Sequence, residues 1–279
     1  MAREKPAKRV LVSRTRVASA KVKPPSAKDW LELSLEDYHQ DRRPLWGKIR
    51  DWWKPSAMGE TCDRQTVLSS LGYRGEPISR KLRLIFEAGN AIETTWRGYF
   101  KGMGLLLSSN VRMRRTETPP FNGEYDVIVR HPYEGRLLLG EIKSINREGF
   151  RKLPPVTPDP VYNQEQLWEL PDAYLRTRIR GYVRQIMLYF FLNKEGVHEG
   201  FLLFDCKDNQ DYAKYALVYD SGLIDRELER LTRLEPYRLG QMLPPCTCEG
   251  KKTGLCTHKP NDDVGLSELK SLTEQGAEI

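Results

Sequence analysis

Residues 123–145 read GEYDVIVR, then HPYEG, then RLLLGEIKSI, and the reading of this stretch decides the fold. Two runs rich in β-branched and aliphatic residues, Glu124–Arg130 and Arg136–Ile145, flank His131-Pro132-Tyr133-Glu134-Gly135, where proline and glycine mark a turn. The spacing predicts an antiparallel hairpin. Side chains alternate along a strand, so Leu137, Leu139, Glu141 and Lys143 share a face. Charged groups beside leucines that must be buried are costly unless they find partners or bind metal. Closing the hairpin about Pro132–Gly135 sets Asp126 opposite Glu141, with Cβ atoms ~5 Å apart. Two carboxylates at that separation repel unless a hard divalent cation sits between them.

Outward from the hairpin, apolar residues recur at Ile85, Gly89, Ile92, Trp96 and Tyr99, which predicts a helix over Leu82–Met103. Glu93 falls at the edge of that apolar stripe. A strand over Leu105–Met113 follows. Beyond the hairpin, proline-rich residues 151–172, with Pro154-Pro155, Pro158 and Pro160, read as a long loop or lid. A helix over Arg178–Asn193, strands over Gly200–Cys206 and Tyr212–Tyr219, and a helix over Leu223–Leu234 complete the body. Helix, three strands, helix, two strands predicts an α/β fold, a mixed central sheet flanked by helices. Trp30, Trp46, Trp52 and Trp53 make residues 29–60 too apolar for a linker, and short helices packed on the body are expected there.

The expected organisation is a basic, disordered arm over residues 1–28, an N-terminal helical region over 29–81 and a core over 82–236. A cysteine-bearing segment spans 237–260, and an acidic tail spans 261–279. Residues 1–25 hold eight Lys or Arg against Glu4, which accounts for the whole net charge of +7. Such an arm suits phosphate contact through counterion release, or is simply a solubilising tail. No apolar run is long enough to span a bilayer, and no secretory signal is read at the start. Five cysteines without an export signal point to a reducing, cytoplasmic compartment and to metal binding rather than disulfides.

Each polar residue also has a plainer reading: Glu141 and Lys143 as an ion pair, Asp126 at a hairpin edge, Glu93 on a solvated helix face. Their arrival together in this order favours a site. Asp126 followed by Glu141-Ile142-Lys143 resembles the signature of the PD-(D/E)XK nuclease superfamily. Gly89-x-x-x-Glu93, Gly123-x-x-Asp126 and Gln185-Ile186-Met187-Leu188-Tyr189 are similar to the motifs of its RecB-like exonucleases, in matching order over roughly residues 60–257. Glu93 stands where many relatives carry His.

The resemblance implies a restriction-endonuclease-like core and a DNA exonuclease acting on linear ends, in recombination, repair, CRISPR adaptation or a phage setting. It implies one or two Mg²⁺ or Mn²⁺ held by Asp126, Glu141, Glu93 and the Ile142 carbonyl. Lys143 would orient water, and Gln185 and Tyr189 would steady the site. A structure-specific or restriction-type endonuclease and a non-catalytic DNA-binding or assembly protein on the same fold are the alternatives. Partner proteins of recombination or CRISPR adaptation are implied, no membrane is, and oligomeric state stays open.

Cys62 and the closely spaced Cys246, Cys248 and Cys256 resemble the ligands of the [4Fe–4S] cluster of CRISPR-associated and AddB-type relatives. His258, two residues past Cys256, keeps a Zn²⁺ site as the alternative. Cys206, at the end of an apolar run, reads as a buried core thiol.

Overall fold

The structure is a computed structural model and describes residues 27–39, 47–58, 62–73 and 78–245. The basic arm up to residue 26, Trp46, the tail over 261–279, and Cys246, Cys248, Cys256 and His258 lie outside the described residues. So does the side chain of Trp30. The chain divides into two units, residues 1–40 and 41–279. Within the first, α1 spans Ala27–His39.

The second unit is built on a five-stranded sheet in the order β1 (Leu106–Arg115), β2 (Phe121–Arg130), β3 (Leu137–Ile145), β4 (Glu199–Cys206), β5 (Tyr212–Val218). All neighbours are antiparallel except β3 and β4, so the sheet is mixed, as expected. The hairpin takes the register read from the sequence: Val127 faces Gly140, Ile128 faces Leu139, and Arg130 faces Leu137. The parallel step from β3 to β4 carries α4 (Arg147–Arg151), α5 (Pro160–Trp168) and α6 (Ala173–Leu192). Parallel strands need such a crossover because a tight turn cannot reverse twice.

The two faces of the sheet are covered unequally. On one, α3 (Arg80–Gly102), capped by the Ser79 side chain, buries only its C-terminal half. There Phe100 packs with Val127, Val129, Leu138, Ile142, Phe201 and Leu203, joined by Ile92 and Trp96. The opposite face carries the main core, where α6 lays Ile179, Val183, Ile186 and Phe190 on Ile128, Leu139, Leu202 and Phe204. Against it stand α2 (Asp63–Ser70) and α7 (Ser221–Leu239). These two helices join early and late parts of the chain through buried charge. Asp63 accepts from Arg230 and Arg233, each at 2.7 Å, and the Trp53 indole donates to Glu235 at 2.8 Å. Cys62 and Cys206 are both fully buried.

Two expectations change. The proline-rich stretch is no plain loop, because Asp159 caps α5 and Pro160 takes its first turn, where a missing N–H costs nothing. Leu167 and Leu170 are buried and Asn163 is bonded to Thr157, so this segment is packed structure. Of the tryptophan-rich stretch, α1 is a short helix as expected, whereas the described residues 47–58 form only a 3₁₀ turn, Pro55–Ala57. The Trp53 backbone instead forms a parallel bridge with Phe121 of β2: its N–H donates to the Pro120 carbonyl, and its own carbonyl accepts from Asn122. Among the described residues no helix is long and apolar enough to cross a membrane.

Candidate active site

The antiparallel ladder between β2 and β3 ends at Val127 and Gly140, one step short of Asp126 and Glu141. In its place the Asp126 carboxylate accepts the Ile142 backbone N–H at 2.7 Å. Strand alternation sets Asp126 on the same face as Ile128, and Glu141 on the same face as Leu139; both of those residues belong to the α6-side core. The two carboxylates therefore project to one side of the sheet, toward α6.

From α6, Gln185 and Tyr189 reach down one turn apart. The Gln185 side-chain amide donates to Glu141 Oε1 at 2.7 Å and lies 3.0 Å from the Tyr189 hydroxyl. The Lys143 ammonium also donates to Glu141 Oε1, and it sits 5.1 Å over the Tyr182 ring. Glu141 is 1 % exposed, and its second oxygen, Oε2, is buried with no hydrogen-bond partner. An orphaned carboxylate oxygen in a protein interior is rare and costly.

Electrostatics records the crowding. Burial, and next the Asp126 charge, push the Glu141 carboxyl up to about 8. Burial raises Asp126 too, opposed by Lys143 and the Ile142 N–H. Glu93, reaching the rim from α3, is raised by burial and then by Asp126. Burial disfavours the Lys143 ammonium, but Glu141 and Asp126 outweigh it and hold its pKa above the ordinary value. Tyr189 is held well above the usual phenol by burial and then by Glu141. Among the described residues, no three His, Cys, Asp or Glu side chains close into a ready-made metal cage. Lys143 and Gln185 hold Glu141 Oε1, and Glu93 comes from the other side of the sheet. The donor set still fits a hard cation: carboxylate oxygens, one of them unsatisfied, beside the Ile142 backbone.

Two cavities meet at Lys143. One, about 430 Å³, is lined by Asp126, Glu141, Gln185 and Tyr189 and rimmed by Lys54, Arg112 and Asn122. The other, about 830 Å³, runs past Glu93 between α3 and the start of α6. Sequence reasoning missed Lys54, Arg112 and Tyr182. Tyr182 had a signal, since it precedes Gln185 by three and Tyr189 by seven, the spacing of one helix face. Arg112 and Arg114 alternate on β1, a weaker one. Nothing local marks Lys54, because its place comes from the Trp53 edge pairing; burial, and next Arg50, lower its pKa.

No protein-family model and no curated protein matches the chain. Among solved structures it is similar to LHK-Exo, an alkaline exonuclease from Laribacter hongkongensis, at 14% identity over 69% of this chain and 90% of that one, with a TM-score of 0.42. It is also similar to a phage-related exonuclease from Haemophilus somnus 129PT, at 17% identity over 55% and 70% of the two chains, with a TM-score of 0.38.

Proposed function

We propose that this chain is a metal-dependent DNA exonuclease whose reaction centre is Asp126, Glu141 and Lys143. The observation that carries the reading is Glu141: a wholly buried carboxylate with one oxygen fixed by Lys143 and Gln185 and the other without a partner, beside a second carboxylate. A purely structural ion pair has no use for an unsatisfied oxygen or for Asp126 at its side.

In this reading Asp126 and Glu141, with Glu93 and the Ile142 carbonyl, hold Mg²⁺ or Mn²⁺. The bound cation would supply Lewis acidity and a more acidic water. Lys143, an ammonium at every working pH, directs water toward the phosphorus and stabilises charge on the phosphate oxygens. Gln185 keeps Glu141 in one rotamer and is itself held by Tyr189. Lys54 and Arg112, on the rim, take flanking phosphates of the strand.

Cys62 fits as one thiolate of the proposed four-cysteine cluster, with Cys246, Cys248 and Cys256. It is buried at the head of α2, where Asp63 is tied to the last helix of the body. Iron and acid-labile sulfide in anaerobically purified protein support the cluster, and stoichiometric zinc in their place refutes it.

The test of the activity is end-labelled linear DNA with Mg²⁺ or Mn²⁺. Wild type shortens it, while Glu141→Gln and Lys143→Ala do not. Closed circular DNA stays intact. Cutting of the circle would make the enzyme an endonuclease, and equal loss of label with both variants would remove the site from the chemistry.

A further inference from the structure

The 830 Å³ cleft beyond Lys143 has a lining that the reaction centre does not use. Along α6, Tyr174, Arg178 and Tyr182 follow one another at steps of four and form a single stripe. Arg178 lies 5.9 Å over the Tyr174 ring and donates to the Tyr182 hydroxyl at 3.1 Å. Tyr182 in turn carries the Lys143 ammonium over its ring. The stripe thus runs from the mouth of the cleft to the reaction centre. Across from it, the N-terminal half of α3 turns apolar side chains outward, with Phe86 51% exposed; Tyr174 is 73% exposed.

Charge narrows the occupant. The cleft wall carries three acids and four cations: Glu148 and Asp172 are both bonded to Lys152, at 3.1 and 2.9 Å, and Glu93 stands near Lys143 at the reaction centre. Arg178 and Lys207 are the cations of the wall outside these groups, and the lining as a whole has one more cation than acid. Exposed aromatic rings set between cations are the means by which proteins hold unpaired nucleic acid, bases on rings and phosphates on cations. A duplex does not fit this surface, because its base faces are already covered by their neighbours. Spacing agrees: rungs four residues apart on a helix are separated by about 6 Å. The stacked rise within a duplex strand is about 3.4 Å. Bases seated rung by rung belong to a stretched strand.

We infer that the cleft between Phe86 of α3 and Tyr174, Arg178 and Tyr182 of α6 is a binding groove for single-stranded DNA, which delivers or removes one unpaired strand at Lys143. The inference rests on the proposed nuclease reading for its purpose but not for its test. Fluorescence anisotropy of the full chain in chelator follows binding of a labelled oligodeoxythymidine, an abasic strand of equal length and a blunt duplex. Tyr174→Ala and Phe86→Ala each weaken the thymidine strand about tenfold, the scale of one lost stacking contact. Tyr174→Phe binds like wild type, because a ring without its hydroxyl still stacks. The abasic strand, with the same phosphates, binds weakly and equally to all four proteins.

Thymidine and abasic strands bound alike by the wild type would overturn the groove. So would affinity unchanged in both alanine variants, or a blunt duplex that binds as tightly as the single strand. Both side chains are exposed, so thermal unfolding of the variants should match wild type. No cleavage occurs in chelator, so failure here leaves the nuclease assay standing, and failure of that assay leaves the groove standing.

Discussion

In chelator the protein should lose stability as pH rises, and Glu141→Gln should flatten that fall. Burial, and next Asp126, push the Glu141 carboxyl from 4.5 up to about 8. Between those values the folded chain keeps a proton that the unfolded chain has lost. Its contribution is complete below pH 4.5 and disappears as pH rises through 8. One proton of difference is worth about 1.4 kcal/mol per pH unit. Glu141 is wholly buried, so solvent screening does not reduce the figure. Over two pH units within that window the wild type therefore loses roughly 3 kcal/mol through this group. For a chain of this size that is about 6–12 °C in Tm. Asp126 and Glu93 are raised as well and leave a residual slope in the variant. The assay is thermal or urea unfolding in chelator at pH 5.5, 6.5 and 7.5. A variant that loses stability as steeply as wild type refutes the reasoning, as does a wild type that gains stability over the range.

Three further outcomes follow from the same geometry. Metal binding needs Glu141 ionised, so Mg²⁺ or Mn²⁺ should release a proton below pH 8, with affinity rising about tenfold per pH unit and levelling above it; calorimetry in two buffers of different ionisation heat measures that proton, and equal heats count against Glu141 as a ligand. Gly123→Ala builds a Cβ 2.8 Å from Pro55 Cγ and 3.0 Å from Tyr189 Cε1, so stability should drop by about 1–3 kcal/mol and Tyr189 should lose its place; unchanged urea unfolding would contradict this. Arg230→Ala strands the buried Glu227 carboxylate, leaves Asp63 with Arg233 alone, and should cost about 3–5 kcal/mol, read by urea unfolding at neutral pH, whereas a cost under about 1 kcal/mol would show the α2–α7 charges to be surface-like.

The hairpin was legible because its information is local. Alternation, the turn at Pro132–Gly135 and the chemistry of Asp126 and Glu141 lie within one short stretch, and a slipped register would have turned Leu139 to the wrong face. The helix over 160–168 was misread because proline marks both breaks and helix starts, and only the capping bonds of Asp159 separate the two. Charge across α2 and α7 carried no signal either. Asp63 and Arg230 are 167 residues apart, and neither position is unusual within its own helix.

Taken alone, the amino-acid order determined the strand register, the helix stripes and the candidate acids, since each depends on neighbours a few residues away. Tertiary structure alone decided that Glu141 Oε2 lacks a partner, that Lys54 stands on the rim, and that Phe86 faces Tyr174 across an open cleft. The physical reason is range. Periodicity and turn chemistry act within a segment, whereas burial and charge environment are sums over every element that the fold brings near.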